Sequence, residues 1–421
     1  MSEERPIVID NGSYKLKFGF AGQPQPYVAM NSLAKDKYGV THLSNQVNNI
    51  KDISSITFRR PHELGQLTSW ELESCIWDYC LYNPEEFTGI DLQNLQTKHL
   101  VVSETCMTLP ELSKNSDQVF FEEYEVDSLY KAPVASFMPF QKDPKDVEII
   151  SGKDDSTYLS NITDDNQEYN DFSLVIDSGF NCTWVIPLIK GVPFYKAVKK
   201  LDIGGRFLNG LLKETISFRH YNVMDETILV NNIKEKCLFV DPVSYFKAFN
   251  RKEEDTIDYV LPDFQTSFQG YVRDPKIPLP ENSQVLTLKD ERFSVPEVFF
   301  HPEITQLLKP GLIETILESI HMLPEVLKPI MASNIVCTGG NFNLPGFANR
   351  LVSELQRQLP TDWICRAKIP ISSDKSLYGW KAMSEFSQTE SYKNVRVTKE
   401  EYFEYGLDWS TRERFGYQNW I

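Results

Sequence analysis

Leu174-Val175-Ile176-Asp177-Ser178-Gly179-Phe180-Asn181-Cys182-Thr183 is the stretch on which the reading of this chain turns. An apolar run stops on an Asp-Ser-Gly turn and resumes as Cys182-Thr183-Trp184-Val185-Ile186, the pattern of a buried hairpin. The start of the chain repeats the device: Ile7-Val8-Ile9 runs into Asp10-Asn11-Gly12-Ser13 and then Leu16-Lys17-Phe18. Two such hairpins predict two similar halves that face each other across a site.

Working outward, 421 residues are too many for one compact core and suit two lobes. Apolar residues make up 41% and charged residues 24%, which is ordinary for a folded protein. A net charge of −16 excludes a surface that grips nucleic acid everywhere by charge. It leaves room for a local basic patch or for a basic, histone-like partner. The charged N-terminus and the lack of a run of about 18 apolar residues predict neither a secretory signal nor a membrane span. Seven cysteines without C-x-x-C spacing read as buried free thiols rather than disulfides or a zinc site. The six histidines are scattered, none at metal-ligand spacing.

The pattern divides the chain into a first lobe, 1–140 with 370–421, and a second lobe, 171–369. The first carries a small subdomain at about 31–62, the second a subdomain at about 207–307 with an insertion at about 259–278. Between them, 141–170 holds eight acids against three lysines and reads as a solvated insertion or a docking site for a basic partner. Thr68 and Glu71 suggest a capping box for a helix over 70–81. Pro110 opens a helix over 109–118, and 119–124 reads as a strand. Asp202-Ile203-Gly204-Gly205-Arg206 turns into a helix, 226–240 is helical, and 285–288 with 292–295 reads as a hairpin. A buried strand over 333–337 ends on Thr338-Gly339-Gly340, and a helix over 345–359 follows. Two basic spots, Arg59-Arg60 with His62 and Lys196, Lys199 and Lys200, read either as DNA contacts or as solvated faces. Phe264, Phe268 and Tyr271 in the 250–283 segment suggest partner binding. Phe415, Tyr417, Trp420 and Ile421 are either interface anchors or pack back on the first lobe.

Neither a G-x-x-x-x-G-K-S/T loop nor a G-x-G-x-x-G turn is present. What is specific is the order: two Asp-x-Gly hairpins, the Gly204-Gly205 turn, Ile233-Lys234-Glu235 and Gly339-Gly340. In that order they resemble the actin family, whose α/β two-lobed fold with a nucleotide cleft is shared with heat-shock chaperones and sugar kinases. The resemblance covers the chain apart from about 141–170 and 259–278. It makes Asp10, Asn11, Gly12, Ser13 and Lys17 a first phosphate loop and Asp177, Ser178 and Gly179 a second. It puts Lys234 and Glu235 on the adenine side, Gly339 and Gly340 in the adenosine loop, and Gly205 among the nucleotide-binding residues. The implied cofactor is ATP or ADP with Mg²⁺, the metal water lying between Asp10 and Asp177. Turn amides suit phosphate, and a lysine adds a point charge.

The chain departs from the family pattern where hydrolysis needs it. Phe180 and Asn181 stand where the family has an acid and a glycine, and Tyr14 where the first loop has its last glycine. Trp184 replaces a histidine near the attacking water, and Val134 the glutamine that orients it. Hydrolysis requires a positioned water, so a non-catalytic protein is expected, with an active hydrolase or a filament protein as the alternatives. Finer likeness to a nuclear, actin-related branch lies in 106–112, 217–221, 337–343 and 414–421. That likeness implies a scaffold subunit of a Swr/SRCAP-type chromatin remodeller, which exchanges a variant histone dimer into nucleosomes. The implied partners are the remodeller's motor and a zinc-HIT-type subunit, with nucleosome or DNA contact in addition. The implied location is the nucleus and also the cytoplasm, without filament assembly.

Overall fold

The computed structural model describes residues 5–36, 38–50, 56–89, 92, 94–141, 146–153, 172–242, 256–263, 269–280 and 283–415. Among them, two large sheets share one strand plan. In the first, Ile7–Asn11 pairs antiparallel with Lys15–Phe20, which pairs with Tyr27–Met30. On its other side Ile7–Asn11 runs parallel to His99–Glu104, and that strand parallel to Ser128–Pro133. In the second sheet Phe172–Ser178 pairs antiparallel with Thr183–Ile189 and parallel with Ile335–Thr338, which runs parallel to Arg366–Pro370. Both sheets end on an antiparallel edge strand, Val397–Thr398 in the first and Val147–Ser151 in the second. The duplicated hairpins therefore head two duplicated sheets, and each Asp-x-Gly turn sits at the end of a central strand.

One apolar core fills the second lobe, where Leu208, Ile316 and Leu351 pack from three helices onto Leu174 and Ile335. Another fills the first lobe around Ile9, Trp77, Leu100 and Phe120. A third is common to both lobes: Val8, Val101 and Phe137 from the first pack with Val175, Trp184 and Val336 from the second. Leu33–Lys35, Thr41–Leu43 and Thr57–Arg59 form a small sheet on the first lobe. Its apolar cluster of Ala34, Val47 and Ile50 also takes in Ile228 of the second lobe.

Several expectations are corrected. Val119–Glu123 is a wide helical turn continuing the helix Pro110–Gln118, not a strand, and three consecutive residues, Val119, Phe120 and Phe121, are buried. Alternation would have exposed one of them. The helix Trp70–Leu81 is capped by Ser69, whose side chain accepts from Leu72 N, while Thr68 bonds to Pro61 O instead. Val285–Leu288 pairs with Ile257–Val260, and Glu291–Ser294 is a helical turn. Buried Glu291 accounts for that difference: its carboxylate takes the Arg219 guanidinium at 2.9 Å, which a solvent-facing hairpin position would not do. The 250–283 segment contributes two strands, Ile257–Val260 and Tyr271–Val272, to a three-stranded sheet with Val285–Leu288, and Tyr271 lies on its edge strand. Val147–Ser151, read within the solvated 141–170 stretch, is the edge strand of the second sheet, paired antiparallel along Arg366–Pro370, with Ile150 and Val147 packed on the apolar cores. Six cysteines are buried and Cys75 is exposed. Residues 154–170, Phe264, Phe268, Tyr417, Trp420 and Ile421 lie outside the described residues. Phe415 packs against the first lobe, its ring 6.2 Å from Tyr130 and 5.3 Å from the Lys131 ammonium.

Candidate functional site

The turns of the two central hairpins face each other across a cleft of about 510 Å³. Asp10, Asn11, Gly12, Ser13, Lys17, Asp177, Gly179, Gly205, Lys234, Glu235, Gly339 and Gly340 all line it. Ser178 is buried just behind them. Distant parts of the chain thus converge: Asp10 and Asp177 lie at the ends of central strands, Gly339 follows another, Gly205 opens a helix, and Lys234 and Glu235 stand in the last turn of a further helix.

The first turn is held from beneath. Asp10 Oδ2 takes the Lys17 ammonium at 2.7 Å, and Asp10 Oδ1 accepts from Ser103 Oγ at 2.9 Å. Ser103 Oγ in turn accepts from Asn11 N. Asn31 donates to Gly12 O and to Glu73 Oε1, which also accepts from Trp77 Nε1. Burial pushes the Glu73 carboxyl up to about 7. The second turn is tied to its own lobe. Gly205 N and Arg206 N donate to Gly179 O and Phe180 O. Asn341 donates to Ser178 Oγ and Gly179 O. Gly339, at φ +101°, lies so close to this turn that a Cβ there would come within 2.2 Å of Ser178 O. Burial first, then the nearby Asp10, push Asp177 up to about 7. Lys234 bonds to Asn231 Oδ1 at 2.8 Å, and burial brings it down to about 8.

The departures from the family pattern also lie on this cleft. Trp184 belongs to the apolar core common to both lobes, and Val134 packs against it. Val134 Cγ1 would lie 2.6 Å from a Cβ at Gly379, so these two residues approach closely on the wall of the cleft. The Tyr14 and Phe180 rings stack across the gap, with centroids 4.7 Å apart. Two basic residues read as surface positions turn out otherwise. Arg60 points inward, with its guanidinium carbon 4.8 Å from the Tyr14 ring centre, and His62 is buried, which brings its imidazole down to about 4. Lys199 and Lys200 are paired with Glu318 and Asp202, so their cluster is largely compensated.

A nucleotide with Mg²⁺ fits this site in part. The nucleoside end keeps the close backbone approach at Gly339 and the Lys234–Glu235 pair. The phosphate end keeps Asp10 and Lys17, already engaged with each other, while two aromatic rings join the loop tips. Among the described residues no group of three His, Cys, Asp or Glu side chains could hold a metal.

Sequence reasoning missed Ser103, Asn31, Glu73, Arg60 and Asn341 as site residues. Ser103 ends a parallel strand beside Asp10, and Asn341 follows the Gly339-Gly340 turn. Both positions were readable once the strand order was in hand. Arg60, Asn31 and Glu73 carry no local signal.

A family model described as Actin matches residues 1–415. The chain is 74% identical to Actin-like protein ARP6 of Candida glabrata over 423 residues, covering 100% of both. It is 64% identical to Actin-like protein ARP6 of Saccharomyces cerevisiae over 438 residues, again covering 100% of both. With Actin-related protein 6 of Neurospora crassa the identity is 31% over 433 residues, which span 97% of this chain and 93% of that one.

Proposed function

The chain belongs to the actin family, and on that premise we propose that it is a non-catalytic scaffold subunit of a nuclear chromatin remodeller. The observation that carries the non-catalytic part is the packing of Trp184 and Val134. They stand where the family pattern has the histidine and glutamine around the attacking water; Trp184 belongs to an apolar core and Val134 packs against it. A water placed there would lack the polar partners it needs for orientation. Members of this family typically bind nucleotide with a divalent metal. Here a bound nucleotide would be a structural ligand, held at its nucleoside end by Lys234, Glu235, Gly339 and Gly340, and would stabilise the fold by linkage.

The scaffold part rests on surfaces. Phe218 is 91% exposed, and Tyr221 and Met224 beside it in sequence are exposed as well. They fall in or next to 217–221, one of the stretches that resemble the nuclear branch. Large exposed apolar side chains grouped in this way suit a protein partner. The proposed assembly is of the Swr/SRCAP type, which exchanges a variant histone dimer into nucleosomes. The motor and a zinc-HIT-type subunit are the proposed partners, and the nucleus, with the cytoplasm, is the proposed location. Among the described residues no helix is long and apolar enough to cross a membrane.

Fractionation of a nuclear extract tests the scaffold role: co-migration with a large remodelling complex is expected, and a free monomer would sink it. Single-turnover hydrolysis by the purified chain tests the other part. Phosphate release at the uncatalysed background is expected. Release above it that disappears on Asp177→Ala would restore the hydrolase reading.

A further inference from the structure

Two departures at the loop tips meet each other. Tyr14 comes from the first lobe and Phe180 from the second, and their rings stack at 4.7 Å with planes 30° apart. The Arg60 guanidinium carbon lies 4.8 Å from one ring centre and 5.0 Å from the other. Arg60 is itself anchored to Asn31 O at 3.2 Å, so the cation is presented from the small subdomain. On the second lobe, a Cβ at Gly205 would lie 3.3 Å from Phe180 Cδ2, and the Lys234 ammonium is 5.8 Å from the ring centre. Further links cross the same gap nearby. Lys200 donates to Leu64 O at 3.2 Å, and Ile228 packs on the small subdomain.

We infer that Tyr14, Phe180 and Arg60 form a clasp that holds the cleft shut and sets which ligand it takes. The two rings join the lobes through apolar contact, and the guanidinium is held by the electron-rich faces of both. Those faces repel a phosphate. Arg60 is already engaged, and an acid that would favour a metal at position 180 is missing. Closure therefore does not depend on a phosphate–metal bridge, and the cleft favours the nucleoside part of a ligand over its phosphates. The clasp works in the same way inside or outside any assembly, so its test is separate from that of the scaffold role.

Thermal unfolding of the full chain with millimolar adenosine, with MgATP or with the same ATP in EDTA, which removes only the metal, reads the clasp directly. For the wild type, MgATP and EDTA are expected to give melting temperatures within about 1 °C of each other, and MgATP is expected to shift melting no more than adenosine does. The double variant Tyr14→Gly/Phe180→Asp puts back the family's glycine and acid. It is expected to gain several degrees from MgATP over EDTA. A wild type that gains as much from MgATP as the double variant does would overturn the proposal. So would a double variant that is no more sensitive to MgATP than the wild type. If the double variant does not fold, Arg60→Ala decides by amide hydrogen exchange. Exchange around 60–65 and 180–182 is expected to speed up in Arg60→Ala and stay unchanged in Tyr14→Phe, and unchanged exchange in Arg60→Ala would overturn the clasp.

Discussion

Glu73 shows how much a single buried side chain decides behind the first turn. It is fully buried, it orients Trp77 and Asn31, and its second carboxylate oxygen has no hydrogen-bond partner. Burial raises its carboxyl to about 7, above the roughly 4.3 of a free glutamate. Between those pH values the folded chain keeps a proton that the unfolded chain has released. Stability therefore falls as pH rises through that window, and the loss is complete above pH 7. Glu73→Gln keeps an acceptor for Trp77 without the ionisable group. The variant is expected to match the wild type near pH 5 and to exceed it at pH 8, by roughly 2–4 kcal/mol. Urea unfolding at the two pH values checks this, and equal curves at pH 8 would contradict it.

Among the elements, the helix Phe347–Gln358 is held to the second lobe by a buried charge as well as by its apolar face. Arg350 donates to Glu297 at 3.0 Å and to Asp241 O at 2.8 Å, and bonds to Glu354 on the next turn. Both Arg350 and Glu297 are about 1% exposed, so neither can turn to water when the other is removed. Arg350→Ala is expected to cost about 3–5 kcal/mol in equilibrium unfolding, because Glu297 keeps a buried charge without its main partner. The double change Arg350→Met/Glu297→Leu is expected to recover most of that loss. The C-terminal segment is tied down by a similar device. Ser410 and Thr411 donate to buried Asp117, which also takes the Lys131 ammonium at 2.5 Å. That network explains why an aromatic-rich end packs on the first lobe as far as Phe415.

At the scale of the whole molecule, the core common to both lobes makes them one folding unit. Trp184 is 8% exposed there, between residues of both sheets, with the Lys200 ammonium 5.7 Å from its ring centre. Trp184→Ala is expected to cost about 3–5 kcal/mol through the cavity it leaves. In calorimetry its unfolding is expected to broaden or split as the lobes lose their common contact. A sharp single transition displaced by less than about 1 kcal/mol would mean that the lobes are coupled elsewhere. The same core gives a physical reason for the loss of hydrolysis proposed above: apolar side chains line the corner where a water would need donors and acceptors.

Much of this was determined by the sequence alone. Strand–turn–strand periodicity and the Asp-x-Gly turns are local features, set by side-chain alternation and by glycine's freedom. They sufficed to predict two similar halves facing each other across a site, while the resemblance to the actin family picked out the residues that line the cleft. Phe180 and Trp184 were recognisable as departures against the family pattern, because a ring cannot replace an acid or an imidazole. Only the tertiary structure decided what those departures do. Tyr14 and Phe180 lie 166 positions apart, and nothing local in either stretch says that their rings meet. Arg60 looked like a solvent-facing base until packing turned it inward over both rings. Val119–Glu123 opens with β-favouring residues, yet it continues the preceding helix, with Val119, Phe120 and Phe121 buried and Glu122 and Glu123 exposed. Contacts between distant segments are selected by how whole sheets pack, and one-dimensional periodicity carries no record of that choice.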